Sequence, residues 1–118
     1  MKWKQDDWDI IWKKLLDKLE ELQVIRTLTD EVENKISVDR EQGIIMALSS
    51  KSKTNNPRKI RKEELKKYWE QLLTKGYVSS EDQPNPYHGA IKRAIFYHCL
   101  PGIIENHRGT IKLKLNNI

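Results

Sequence analysis

The chain has 118 residues, of which 37% are hydrophobic and 33% charged, with 22 Lys and Arg against 17 Asp and Glu. This length accommodates one hydrophobic core, and the hydrophobic fraction excludes the disordered class, so we predict a single domain over residues 1–118. The charge is uneven, because residues 1–50 carry 8 basic and 11 acidic side chains whereas residues 51–118 carry 14 and 6. The basic second half favours a polyanion as partner.

The sequence also indicates a compartment. Its single cysteine, Cys99, cannot form an internal disulfide, which favours a reducing environment. Charged residues interrupt the N-terminal sequence MKWKQDDWDII, and no apolar run approaches the roughly 18 residues that a membrane helix needs. We therefore expect a cytoplasmic protein with no signal peptide and no membrane partner.

The first predicted element is an amphipathic helix over residues 6–26. Its apolar side chains recur at steps of three and four residues, and acidic residues stand at its start, where the helix dipole favours anions. The stripe consists of Trp8, Ile11, Trp12, Leu15, Leu19 and Leu22. At this spacing we interpret the tryptophans as packing residues rather than as a ligand cage or stacking platform. Two interpretations of the stripe stay open: intramolecular core, or the seam of a homodimer or larger complex.

A β-hairpin is predicted next. Ile36 and Val38 alternate with polar residues, DREQG has turn chemistry, and IIMAL is a short apolar run. The helix and this hairpin form an N-terminal extension over residues 1–48. The following sequence SSKSKTNNPRK, residues 49–59, has no apolar face and is predicted to be a basic loop.

The second half predicts a further series of elements. A helix over residues 61–75 is followed by Gly76, where a left-handed cap belongs. The sequence YVSSEDQ predicts a two-residue strand and a short helical turn capped by Ser79 or Ser80. Asn85 and Pro86 start another helix, which continues to about residue 99. LPG ends that helix, and IIEN, HRG and TIKLKL form a second hairpin.

This order of elements, helix, short strand, short helix, helix and hairpin, resembles a winged helix-turn-helix over residues 60–115. The segments IRKEELKKYWEQLLTKGYVSSEDQ, NPYHGAIKRAIFYHCLPGI and TIKLKL are similar to winged-helix DNA-binding domains, in particular small ones found beside bacterial restriction and phage-defence proteins. The resemblance implies an α+β fold, with the N-terminal helix and hairpin added to a winged-helix core. It also implies that the third helix enters the major groove while the second hairpin contacts the DNA backbone or minor groove.

Three groups of residues are candidates for DNA contact. On the third helix we expect the opening turns to be exposed, with Arg93 as phosphate anchor, although Lys92 and Arg93 could instead serve only to solubilise the surface. The basic loop supplies cations beside a helix start, and the second hairpin supplies its tip. The candidates are Lys51, Lys53, Arg58, Lys59, Arg61, Lys62, Asn85, Tyr87, His88, Lys92, Arg93, His107 and Arg108. Gly89 costs about 1 kcal/mol relative to Ala in a helix, which close approach of a phosphate or another helix would justify.

Enzymatic motifs are weak in this sequence. ENK at residues 33–35 is a possible Glu-x-Lys nuclease motif, but it needs a further acid in a mixed sheet. The three histidines and Cys99 lack metal-ligand spacing, so we predict no metal and no cofactor, with Cys99 and His98 in the core. The predicted function is non-enzymatic double-stranded DNA binding, as a regulator or as the recognition subunit of a restriction or defence system. The alternative is a scaffold that docks other proteins through its Trp-bearing first helix.

Overall fold

The computed structural model describes residues 3–114, which form an α+β fold of three α-helices and two antiparallel sheets. In chain order the elements are a 3₁₀ turn (Gln5–Asp7), α1 (Trp8–Leu22), β1 (Val24–Arg26), β2 (Glu33–Asp39), β3 (Ile44–Ser49), β4 (Arg58–Arg61), α2 (Lys62–Lys75), β5 (Tyr77–Val78), α3 (Gly89–Cys99), β6 (Ile104–His107) and β7 (Thr110–Leu113). The first sheet has the order β1-β2-β3-β4, and the second has the order β5-β7-β6. Among residues 3–114 no helix has the length and apolar character needed to cross a membrane.

The first sheet is larger than the sequence predicted. Its central hairpin is confirmed, with Ile36 opposite Ala47 in the β2–β3 pairing. Its edge strand β1 falls inside the predicted helix over residues 6–26, because α1 ends at Leu22 and Gln23 takes a left-handed φ of 63°. The other edge strand, β4, occupies residues predicted as loop and helix start. β4 pairs with β3 and places Ile60 opposite Ile45 in the core.

Most elements of the second half are confirmed. α2 ends at Lys75, followed by Gly76 with φ 85°, and β5 has two residues as predicted. The predicted helical turn after it is a hydrogen-bonded turn instead, in which the Ser79 side chain accepts the Asp82 backbone N–H at 3.0 Å. The second hairpin forms as predicted. Its predicted end at Leu115 lies outside the described residues.

α3 begins at Gly89, three residues after the predicted start at Pro86. The Asn85 side-chain carbonyl accepts the Tyr87 backbone N–H at 3.0 Å, and His88 has a left-handed φ of 59°. A left-handed residue cannot continue a right-handed helix, so residues 85–88 form a turn before α3.

One hydrophobic core joins all three helices and both sheets. The apolar stripe of α1 from Trp8 to Leu19 lies inside it, with Trp8 5% exposed and Trp12 8% exposed, whereas the last predicted member, Leu22, is exposed. α1 contacts α2, α3 and β2, so the stripe is intramolecular core rather than a dimer seam.

Candidate nucleic-acid interface

The prediction that Lys92 is exposed at the start of α3 is wrong. α3 is the central helix of the molecule, and every residue from Ile91 to Phe96 is buried. Lys92 is 0% exposed, and its Nζ donates to Glu64 Oε1 at 2.8 Å and lies 5.6 Å from the centre of the Tyr68 ring. A long aliphatic stem and an opposite charge allow a lysine to occupy such a position. Lys92 is therefore not available to DNA.

Arg93 is also buried, at 7% exposed, so its predicted role as a phosphate anchor is wrong. Its Nε donates to the Gly109 carbonyl at 3.0 Å, and its Nη1 donates to Gln83 Oε1 at 2.6 Å. Burial lowers the pKa of the Arg93 guanidinium. Arg93 thus ties the tip of the second hairpin to the segment that precedes α3.

We call Glu64, Tyr68, Gln83, Lys92 and Arg93 the buried polar network. The Tyr68 hydroxyl lies 2.9 Å from Gln83 Oε1 and 2.7 Å from the Asn85 carbonyl, and burial raises the pKa of Tyr68 to about 12. Burial alone would raise the pKa of Glu64, but hydrogen bonds from Lys92 and from the Arg61 backbone N–H lower it below its ordinary value. The network holds residues 83–85 in place.

The network also explains Gly89. A Cβ at this position would overlap the side-chain amide of Gln83, whose oxygen lies within hydrogen-bond distance of Tyr68 and Arg93. The close neighbour is therefore a half-buried, hydrogen-bonded amide of the same chain, and neither a phosphate nor another helix is needed to account for the glycine.

The remaining candidates before α3 and in the second hairpin lie at the surface. Asn85 and Tyr87 are exposed and His88 is half-buried. At the hairpin tip, His107 is exposed with Nε2 3.0 Å from Glu105 Oε1, and Arg108 is exposed with a φ of 54°. These four surface positions and His88 do not form one cluster with Lys92 and Arg93, which face inward.

The candidates of the predicted basic loop are mostly exposed, but three of them lie on a β-strand rather than in a loop. Lys51 and Lys53 lie in the loop between β3 and β4, whereas Arg58, Lys59 and Arg61 lie on β4 itself. Lys62 is different, because its Nζ lies 3.2 Å from Asp9 of α1 and 5.9 Å from the centre of the Trp12 ring. β4 therefore presents cations from a regular edge strand rather than from a loop alone.

One face of the first sheet packs on the helices. The other, outer face carries a cation that was not among the predicted candidates, Lys35. Lys59 is paired with Met46, and Lys35 is paired with Leu48. Because side chains alternate along a strand, Lys35, Lys59 and Arg61 share the outer face. Sequence reasoning missed Lys35 because it lies in the acidic half. The alternation of Ile36 and Val38 already predicts that Lys35 faces away from the core.

The loop between β3 and β4 borders this outer face. A cavity of about 280 Å³ lies between them, and its lining includes Lys35, Leu48 and the acidic Glu33 from the sheet and Ser52, Thr54 and Asn55 from the loop. Lys35, Lys59 and Arg61 lie on this outer face and Lys51 and Lys53 lie on the loop, whereas Arg58 starts on the other side of the same edge strand; all six cations are exposed. We call Lys35, Lys51, Lys53, Arg58, Lys59 and Arg61 the basic surface.

Arg58 is the member of the basic surface whose charge acts on the turn before α3. It is paired with Ala47, so its side chain starts on the inner side of the sheet edge, opposite to Lys59. Burial lowers the pKa of His88, and the positive charges of Arg58 and Lys92 lower it further. Arg58 is therefore close enough to His88 to act on it electrostatically.

The residues considered for enzymatic or metal chemistry are separate from one another. Glu33 of the ENK sequence lies 3.7 Å from Arg26 across the sheet. Cys99 is buried, and burial raises the pKa of its thiol to about 12, so its predicted packing role is confirmed. His98 has the predicted backbone partner, with Nε2 2.8 Å from the Arg26 carbonyl, but it is only half-buried, so its predicted place in the core is wrong. Within the described part of the chain, no group of three or more His, Cys, Asp or Glu side chains is placed to hold a metal ion.

Comparison of the chain with protein-family models, with curated proteins and with solved structures gives no match. The chemistry of the surface is therefore the basis on which a function is proposed.

Proposed function

We propose that the protein is a non-enzymatic module that binds double-stranded DNA through the basic surface. The observation that carries this proposal is the concentration of six exposed cations on β2, β4 and the adjoining loop. The chain between Lys51 and Lys62 contains no acidic residue, so the cations of β4 and the loop are not neutralised by sequence neighbours. Phosphate contacts by exposed Lys and Arg supply most of the affinity of sequence-independent DNA binding.

We further propose that α2, β5, α3, β6 and β7 form a variant of the winged helix. The order of these elements and the β5-β7-β6 sheet support this proposal. In this variant an irregular segment over residues 79–88, with one turn near each end, takes the place of the second helix, and α3 supports the fold instead of reading bases. The exposed tip with His107 and Arg108 is the proposed second contact. A place in a restriction or defence system follows from the resemblance alone.

A salt titration tests DNA binding. If the six cations of the basic surface contact phosphates, the logarithm of the affinity for a random duplex falls against log salt with a slope of about −5. The variant Lys59→Glu, Arg61→Glu is expected to bind roughly 100-fold more weakly at about 0.1 M salt, with a slope shallower by about 2. Fluorescence anisotropy with a labelled duplex measures both quantities.

A matched control is available on α2. Lys66 and Lys67 are exposed, and Lys66→Glu, Lys67→Glu changes the net charge by the same amount. This control should retain most of the affinity and most of the slope, because only general attraction is reduced. No duplex binding by the wild type at low salt, or equal losses in the two double variants, would overturn the proposal.

The scaffold alternative has less support. Trp8 and Trp12, which were its proposed docking residues, are core residues of α1. No other observation on the described surface favours a specific protein partner over a polyanion.

A further inference from the structure

Tyr87 is an aromatic residue at the surface of a protein whose other aromatic residues are mostly in its core. Among residues 3–114 the large exposed apolar side chains are Ile10, Leu22, Val24 and Tyr87, and Tyr87 has the largest exposed fraction, 69%. By contrast, Tyr68 and Phe96 are fully buried and stack on each other. Exposure of a phenol ring to this extent leaves most of one ring face free to contact a ligand.

The Tyr87 ring is held by its surroundings. The His88 ring lies against it, with 3.9 Å between the ring centroids. The Tyr87 backbone N–H donates to the Asn85 side chain, and the Asn85 carbonyl accepts a 2.7 Å hydrogen bond from the buried Tyr68 hydroxyl. The Gly89 N–H closes the turn by donating to the Pro86 carbonyl at 3.0 Å. An exposed ring on such an anchored turn loses little freedom when it binds a flat ligand.

The ring adjoins the basic surface. The Glu64 carboxylate accepts hydrogen bonds from the Arg61 backbone N–H at 2.9 Å and from Lys92 Nζ at 2.8 Å, and the Lys92 backbone N–H donates to the His88 carbonyl at 3.1 Å. These hydrogen bonds tie the end of β4 to the turn that carries Tyr87 and His88, and the His88 ring packs against the Tyr87 ring at a tilt of 46°. A nucleic acid backbone held at Arg61, at the end of β4, would therefore pass near the turn that carries Tyr87.

We propose that Tyr87, supported by His88, stacks on an unpaired nucleobase of a single-stranded DNA segment that continues from the duplex held by the basic surface. This inference rests on the proposed function. It adds that the protein prefers a duplex that continues into a single-stranded segment. Bases inside a duplex have both faces covered by their neighbours, so an exposed aromatic ring selects an unpaired base. Stacking of this kind is tolerant of sequence, because every base has a π face.

The test compares two labelled probes in anisotropy titrations: a blunt duplex and the same duplex with a single-stranded overhang of about four nucleotides, near the smallest site size of single-strand binding folds. Wild-type protein should bind the overhang probe about tenfold more tightly, the effect of one stacked base. Tyr87→Ala should abolish this preference by weakening binding to the overhang probe much more than binding to the blunt duplex. Tyr87→Phe should keep it, and Tyr87→Leu, which retains apolar bulk without a π face, should lose most of it.

The outcomes separate this inference from the proposed function. Equal wild-type affinity for the two probes, or equal losses on both probes in Tyr87→Ala, overturns the stacking role, while the DNA-binding proposal stands if Lys59→Glu, Arg61→Glu still weakens blunt-duplex binding. Binding to neither probe overturns both. Retention of the overhang preference in Tyr87→Leu also overturns stacking, because it indicates an apolar contact. Thermal unfolding of each variant confirms that the substitutions at this exposed position leave the fold intact.

Discussion

Lys92 shows how one side chain can be both charged and fully buried. Its ammonium lies 2.8 Å from Glu64 Oε1 and over the ring of Tyr68, so opposite charge and aromatic π density replace water. Such a pair contributes little net stability relative to apolar residues, but removal of one member leaves a buried charge without a partner. Glu64 on α2 therefore has a structural role: its carboxylate neutralises the buried ammonium of Lys92 on α3.

The variant Glu64→Gln tests this role. We expect it to lower the free energy of unfolding by roughly 3 kcal/mol near pH 7, the low end of the range for a broken buried pair, because Glu64 itself is 22% exposed. Urea unfolding measures the change. Adding Lys92→Met to this variant should recover most of the loss, since an apolar side chain of similar length fills the same space. A double variant less stable than Glu64→Gln would contradict this account.

The stability difference between wild type and Glu64→Gln should depend on pH in one direction. Hydrogen bonds from Lys92 and Arg61 outweigh burial and lower the pKa of Glu64 in the folded state below its ordinary value of 4.5. A lowered carboxyl pKa contributes stability above the pKa of the unfolded chain, and the contribution is lost as pH falls through the folded-state pKa. The stability difference between wild type and Glu64→Gln should therefore shrink below about pH 4.5. A difference that stays constant into acid would contradict the ion pair.

At the scale of elements, α3 depends on a glycine at its first position. Helix propensity favours Ala over Gly, yet Gly89→Ala should destabilise the protein. The added Cβ displaces the Gln83 amide from Tyr68 and Arg93, which costs roughly 1–3 kcal/mol in lost part-buried hydrogen bonds.

Two further variants make the Gly89 prediction specific. In the Gln83→Ala background, Gly89→Ala should cost much less, because the overlapping amide is gone. Ala90→Gly at the neighbouring exposed position should cost only about 1 kcal/mol from propensity. Thermal unfolding ranks these variants, and equal effects of Gly89→Ala with and without Gln83 would count against the packing explanation.

The edge strands are the elements that determine the candidate interface. β4 has one buried residue, Ile60, and three exposed cationic ones, so its local pattern carries almost no strand signal. Cationic side chains are typical of edge strands, where they discourage pairing with another chain. The same charges form the basic surface, which makes β4 both the protected edge of the sheet and the proposed DNA contact.

At the scale of the whole molecule, the N-terminal helix and sheet share one core with the proposed winged helix. Leu15 of α1 is fully buried in the same cluster as Ile95 of α3 and Ile111 of β7. The extension over residues 1–48 and the segment over residues 60–115 should therefore unfold together, because neither can be removed without exposing the other.

Leu15→Ala tests this cooperativity. We expect a loss of about 2–5 kcal/mol from the cavity in the shared core. Tryptophan fluorescence and far-ultraviolet circular dichroism should report one coincident urea transition in both proteins, shifted to lower urea in the variant. Two separate transitions, of which Leu15→Ala shifts only one, would show that the two segments are independent units.

Local chemistry in the sequence determined much of the fold. The period of α2 and its Gly76 cap, the turn chemistry between β2 and β3, and the tip at Gly109 are each encoded within a few residues of one another. The apolar stripe of α1 likewise predicted a helix, although its last turn became β1. These features were predictable because neighbours in the chain supply the hydrogen bonds and steric limits that specify them.

The tertiary structure alone decided the edge strands, the burial of Lys92 and Arg93, and the open face that carries Lys35. An edge strand such as β4 gains its hydrogen bonds from a partner that its own residues do not specify. Whether a cation on a helix faces water depends on what encloses that helix, and α3 is enclosed by other elements on nearly every side. Exposure depends on how distant segments of the chain pack together. For this reason the sequence placed the candidate site on α3, whereas the exposed cations of the folded protein lie on the first sheet.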